Sequence, residues 1–102
     1  MRDDLIELIK SIEARPALYL SRNTISALKA FIDGWILRRP DEVVNSELLA
    51  RLQKHVEFVF GVNGHSWDKI ILLFSEDEGD ALKRFFLIFN EMCNGSSMKE
   101  SD

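Results

Sequence analysis

The chain has 102 residues, 46% of them hydrophobic and 29% charged, which suits one domain with a core of its own. Its longest run of aliphatic and aromatic residues, Ile70 to Phe74, is too short to span a bilayer, and a single cysteine, Cys93, excludes an intrachain disulfide. The N-terminus carries acids where a signal peptide has bases, so we expect a cytoplasmic protein.

The charge is unevenly distributed along the chain, whose net charge is −4. Residues 1–40 carry seven basic and five acidic side chains, whereas residues 41–102 carry six basic and twelve acidic ones. Binding to nucleic acid depends on clustered Lys and Arg, so this acidic balance predicts no nucleic-acid partner. It favours a partner protein with a basic surface.

The first predicted helix covers the start of the chain and ends near Arg15. It is indicated by apolar residues at helical spacing, namely Leu5, Ile6, Leu8, Ile9 and Ile12. Pro16 disfavours helical geometry in the residue before it, which predicts the end of the helix. We expect residues 17–20 to form a short connector that is extended and buried.

The second predicted helix covers about residues 24–38. Its apolar residues recur at steps of three and four, and they are Ile25, Leu28, Phe31, Ile32, Trp35 and Ile36. Asn23 or Thr24 is the expected N-cap, and Pro40 marks the expected end.

Three more helices are predicted in the second half of the chain. One covers about residues 46–60, a short one follows Ser66, and the last covers about residues 76–93. Ser75 and Glu78 have the spacing of a capping box at the start of the last helix. We expect residues 1–93 to form a single helical domain and residues 94–102, which are small and polar, to form a disordered tail.

One segment allows a second interpretation. Asn63-Gly64 is a strong hairpin signal, and alternating apolar residues precede it, so residues 56–73 are compatible with a β-hairpin. The spacing after the loop is helical instead, as shown by Trp67, Ile70, Ile71 and Phe74. We therefore predict an all-α domain of about five helices, with an α+β fold containing this hairpin as the alternative.

The residues that carry enzyme chemistry are sparse. A zinc site needs three or four clustered ligands, and the chain offers one cysteine with His55 and His65. The sequence has no G-x-S-x-G motif and no glycine-rich phosphate loop. We expect no metal, no cofactor and no catalysis; an enzyme would require a pocket with perturbed titratable groups, for which His55, His65 and Asp68 are the candidates.

An acidic cluster is the sharpest charge feature. It consists of Glu76, Asp77, Glu78 and Asp80. Acids in a first helical turn complement the helix dipole, and this accounts for about two of the four. The functional interpretation is a surface that binds a basic cleft, and we keep the cluster as a candidate partner-binding site.

Two aromatic residues are further candidates for partner binding. Phe58 lies off the apolar stripe of its predicted helix, and Trp67 lies at a helix start beside a glycine loop. Exposed aromatics are enriched in binding hot spots, so we expect either residue to serve as an interface anchor if it is exposed.

The framework of the chain resembles a known class of proteins. The resemblance rests on R-P-x-x-Y-L at residues 15–20, S-x-L-x-x-F-x-x-G-W at residues 26–35, Ser66-Trp67, and A-x-x-x-F-F-x-x-F at residues 81–89. These motifs resemble small bacterial immunity proteins of polymorphic toxin systems, in particular those of contact-dependent growth inhibition. The resemblance implies a cytoplasmic inhibitor that binds and blocks one cognate toxin domain, often a nuclease, without catalytic residues.

A second functional class remains open. A helical adaptor or regulatory module that docks on another protein, or associates with itself, has the same size and composition. An exposed apolar face would favour this alternative. The oligomeric state is not predicted.

Overall fold

The computed structural model describes residues 3–38, 43–44 and 47–101, with side chains for residues 4–38 and 47–94. Six helices occur in this part of the chain: α1 (Leu5–Ala14), α2 (Pro16–Tyr19), α3 (Ile25–Arg38), α4 (Leu48–Phe60), α5 (Trp67–Leu73) and α6 (Glu78–Ser101). Two short strands, β1 (Asp3–Asp4) and β2 (Val43–Val44), pair in parallel, with Asp3 opposite Val43.

The prediction of an all-α domain of about five helices is confirmed. The alternative hairpin is wrong, because residues 56–73 contain the end of α4, a turn and the whole of α5. Gly61 closes α4 in the left-handed conformation, at φ 67°, and its amide donates to the carbonyl of Glu57 at 2.9 Å. This glycine C-cap ends the helix instead of starting a strand pair.

Helix α2 replaces the extended connector that we expected at residues 17–20. Pro16 is its first residue, where the missing N–H costs nothing, and the amide of Leu20 donates to the Pro16 carbonyl at 2.8 Å. Leu20 is buried as expected, but Leu18 is exposed. Pro16 therefore ends one helix and begins the next.

The starts of α1 and α3 follow from local capping. The Asp4 carboxylate accepts from the amide of Ile6 at 2.9 Å, and the Thr24 hydroxyl accepts from the amide of Ala27 at 3.1 Å. Thr24, one of two predicted caps, is thus the N-cap of α3. The predicted stop at Pro40 and the predicted start of the third helix at Ser46 lie outside the described residues.

Helix α6 packs against three other helices, α3, α4 and α5. Phe85 and Phe89 are fully buried on it, and the ring of Phe85 lies 5.1 Å from that of Trp67 and 5.9 Å from that of Phe89. Around these rings the core is aliphatic, with Leu5, Ile9, Ile12, Ile25, Leu28, Ile32, Leu48, Leu52, Ile70 and Ile71 all fully buried.

The C-terminal end of α6 differs from the prediction. The helix extends to Ser101, whereas the spacing predicted an end near Cys93. The division into a helical domain at residues 1–93 and a disordered tail at residues 94–102 stays a prediction. Within residues 3–38 and 47–101, no helix has both the length and the apolar composition that crossing a bilayer requires.

Two Phe→Ala substitutions separate the core from the surface. Phe85→Ala should lower the free energy of unfolding by about 3–5 kcal/mol, because it leaves a cavity in the centre of the core. The matched control Phe58→Ala removes the same atoms from an exposed position and should change it by no more than about 0.5 kcal/mol. Urea unfolding followed by circular dichroism measures both, and equal effects would contradict the placement of α6.

Candidate functional site

The acidic cluster lies at the start of α6, and Asp77 caps this helix. Its carboxylate accepts from the amide of Asp80 at 2.8 Å, and its carbonyl accepts from the amide of Ala81 at 2.9 Å. The predicted capping box of Ser75 and Glu78 is wrong: the Ser75 hydroxyl donates back to the carbonyl of Ile71 at 2.6 Å. The helix therefore starts two residues later than expected, with Asp77 in the capping role.

Asp80 forms a second set of contacts in the cluster. Its carboxylate accepts from the amide of Glu76 and from Nε of Arg84, both at 3.0 Å. The hydrogen bond from the Glu76 amide and then the one from Arg84 hold the pKa of Asp80 below its ordinary value of 3.8. Asp80 therefore ties the turn before α6 to the first turn of the helix.

Glu78 joins two helices that are distant in sequence. Its carboxylate accepts from the amide of Ser26 at 3.1 Å and from the Ser26 hydroxyl at 2.9 Å. Ser26 lies in the first turn of α3, where the backbone amides lack partners within the helix and the dipole favours a negative charge. Thr24 and Glu78 together therefore cap α3, one locally and one from 52 residues away.

Glu76 differs from the other three acids of the cluster because its side chain faces solvent. It is exposed, and its carboxylate accepts no hydrogen bond from any residue in the described part of the chain. The other three acids are occupied in capping and bridging. The cluster thus has a structural role at the junction of α3 and α6, and Glu76 is its one acid whose carboxylate is not engaged by the described residues.

The two aromatic candidates have opposite environments. Phe58 is 85% exposed, as expected, and lies beside Lys54, Glu57 and the turn at residues 61–63, which line the same shallow depression. Trp67, the second aromatic candidate, is only 5% exposed and packs against Phe85, so it does not meet the condition of exposure that we set for an interface anchor. Trp67, the first residue of α5, faces the core because α5 packs against α6 on this side.

The candidate enzyme residues do not form a common site. The depression beside His65 is lined by Lys69 and by aliphatic side chains of α5, and neither His55 nor Asp68 lies in its wall. Asp68 is buried and accepts a hydrogen bond from the hydroxyl of Ser66. Among the described residues, no three His, Cys, Asp or Glu side chains are grouped to hold a metal ion.

A second apolar surface was missed by the sequence reasoning. Val59, Phe74 and Leu87 are exposed, and the ring of Phe74 stacks on that of Phe60 at 4.8 Å. Val59, three residues after the buried Val56, and Phe74, three residues after the buried Ile71, have the helical spacing of core residues, but both lie at helix ends, where such a position can remain uncovered. Leu87 carries a readable signal, because it falls outside the repeat formed by the buried phenylalanines of α6.

Comparison with protein-family models, with curated proteins and with solved structures gives no match to this chain.

The bridge between α3 and α6 predicts a clear difference between two glutamates of one cluster. Glu78→Ala should lower the free energy of unfolding by about 1 kcal/mol, the usual effect of losing a helix N-cap. Glu76→Ala, two residues earlier, should change it by less than about 0.5 kcal/mol. Urea unfolding of both variants tests this prediction. An equal loss in the free energy of unfolding for Glu76→Ala would contradict a stabilising role for the contact between Glu78 and Ser26.

The lowered pKa of Asp80 predicts a pH dependence of stability. The pKa of Asp80 in the folded protein lies below the ordinary value of 3.8. Its contribution to the free energy of unfolding is therefore complete at pH values above 3.8 and is lost as the pH falls through the folded pKa. Asp80→Asn should therefore destabilise the protein at about pH 7, and the difference from the wild type should shrink in acid. Urea unfolding of both proteins at a series of pH values from about 7 into acid measures this difference in the free energy of unfolding. A difference that does not vary with pH would contradict the lowered pKa of Asp80.

Proposed function

We propose that this chain is a cytoplasmic immunity protein that binds one cognate toxin domain, in the first instance a nuclease, and neutralises it by covering the active site. The exposure of Phe58 is the observation that carries the protein-binding part of this proposal. The sequence resemblance supplies the class of partner. The inhibitor needs no catalytic group, because occlusion of a substrate cleft is sufficient.

Phe58 suits the role of an anchor in a protein interface. It lies off the buried face of α4, which is formed by Leu48, Leu52 and Val56, and is 85% exposed, so the core does not require it. A phenylalanine leaves about 150 Å² or more of apolar surface to be buried by a partner. Lys54 and Glu57 beside it supply the polar surround that is typical of hot spots.

The acidic cluster supports a separate part of the proposal. A nuclease binds its substrate in a basic cleft, and an excess of acids on an inhibitor accelerates association with such a surface. Three acids of the cluster are tied to amides, a hydroxyl or Arg84, so they act through their field, whereas Glu76 also has its side chain available. Phe58 then governs dissociation and the cluster governs the rate of association.

The adaptor or regulatory module is the second candidate function. The apolar surface of Val59, Phe74 and Leu87 favours it, because a monomer with a single binding site does not need a second exposed patch. In this reading the chain binds a housekeeping protein or another copy of itself.

A capture experiment followed by an inhibition assay tests the proposed function. The tagged chain is expressed in its source cells, bound proteins are identified by mass spectrometry, and the captured domain is purified and titrated with the chain. We expect a toxin domain whose activity is abolished at equimolar chain. Phe58→Ala should weaken binding about tenfold or more, and Leu37→Ala, an exposed control on α3, should not.

The outcomes separate the candidates. Recovery of a housekeeping protein at fixed stoichiometry, or of the chain alone, would contradict the immunity proposal and favour the adaptor. If a toxin is inhibited but Phe58→Ala binds as tightly as the wild type, the anchor lies elsewhere. Glu76→Lys should slow association and reduce its salt dependence; reversal of Asp77 or Asp80 is unsuitable, because both stabilise the start of α6.

A further inference from the structure

A shallow apolar groove lies between the end of α4 and the middle of α6. It has a volume of about 260 Å³, and its lining consists of Val59, Phe60, Arg84, Leu87, Ile88 and Glu91. Leu87 is 66% exposed at its edge, and the stacked ring of Phe74 extends the apolar surface beyond Phe60. Leu87 and Phe74 therefore leave apolar surface at the edge of the groove that a partner can bury.

The two charged residues of the groove lie at equal distances from its centre along α6. Arg84 and Glu91 lie seven residues apart, two helical turns, and therefore on the same face of the helix. The midpoint between them falls between Leu87 and Ile88. The groove thus has Arg84, which is paired with Asp80 of the same copy, at one end, an apolar centre, and Glu91 at the other end.

This pattern is complementary to itself. When two such helices lie antiparallel about a two-fold axis at the midpoint, Arg84 of each copy faces Glu91 of the other, and the exposed Leu87 of each copy lies beside the axis. A parallel arrangement would place like charges opposite each other. Complementarity of one surface to its own copy is the requirement that a two-fold interface imposes.

Arg84 can make the additional contact without losing its present one. Its Nε donates to Asp80 at 3.0 Å, and a guanidinium carries four further N–H donors in a planar fork. The side chain is 45% exposed, so these donors are accessible to a carboxylate from outside.

We propose that the groove binds a second copy of this chain in a two-fold dimer, with antiparallel α6 helices, reciprocal pairs between Arg84 and Glu91, and Leu87 of each copy seated against Val59 and Phe60 of the other. The surface is small, so the dimer forms and dissociates with concentration rather than being permanent. This inference does not depend on the proposed function, because Phe58 lies on the other side of α4 from the groove.

Sedimentation velocity over about 1 μM to about 1 mM chain tests the dimer. We expect the wild type to shift from monomer to dimer within this range. Leu87→Asp should raise the dissociation constant at least about tenfold, because it places a charge in the apolar centre. Leu37→Asp, an equally exposed leucine on α3, should leave the dissociation constant unchanged. A wild type that stays monomeric throughout, or an equal effect of both variants, would overturn the proposal.

A charge exchange tests the antiparallel pairing itself. Glu91→Arg alone should weaken the dimer, because it faces Arg84 of the other copy, and Arg84→Glu alone should weaken it for the same reason. The double variant with both substitutions restores opposite charges and should recover most of the wild-type dissociation constant. Circular dichroism confirms that each variant is folded. If the double variant is folded but does not recover the dissociation constant, the antiparallel register is overturned. If a toxin domain displaces the second copy from the groove, the choice of a second copy as the occupant is overturned.

Discussion

Burial of the aromatic face of α6 is the constraint on which the rest of the molecule depends. Phe85 and Phe89 are fully buried on α6, and this helix packs against α3, α4 and α5. Helix α1 is tied to the same helix by Asn90, whose amide donates to the carboxylate of Glu13 at 3.2 Å. Because α6 packs against α3 with its N-terminus beside the start of that helix, Glu78 lies within hydrogen-bonding distance of Ser26. The acidic cluster is therefore placed by the packing of aromatic rings.

The sequence predicted the helices well where apolar spacing was regular and capping was local. Thr24 and the α4–α5 break are examples, because each depends only on neighbouring residues. Helix α2 was missed because Pro16 restricts the residue before it but also suits the first position of a new helix. The helical spacing of Trp67 with Ile70 and Ile71 was sufficient to indicate its burial, but its contact with Phe85, eighteen residues later, could not be predicted, because no local pattern reports such a contact.

The candidate site divides in the same way. The exposure of Phe58 could be predicted, because it follows from the phase of a single helix. The roles of Glu78 and Asp80 could not, since one depends on a helix 52 residues away and the other on how the turn before α6 closes. An acidic run in a sequence therefore overstates the charge available to a partner. Here three of the four carboxylates are engaged within the fold. The donor groups that they contact carry partial or full positive charge, which offsets the negative potential of these carboxylates outside the protein.

The two apolar surfaces of α4 also limit how the chain can be used. Successive residues in a helix point about 100° apart, so Phe58 and the groove residues Val59 and Phe60 cannot face the same partner surface squarely. A second copy seated in the groove leaves Phe58 uncovered on both chains. The dimer would then present two identical anchors on separate sides, and each could engage a toxin domain without displacing the other copy. The proposed self-association and the proposed inhibition would for this reason be compatible in one molecule, because they would use different residues of the same helix.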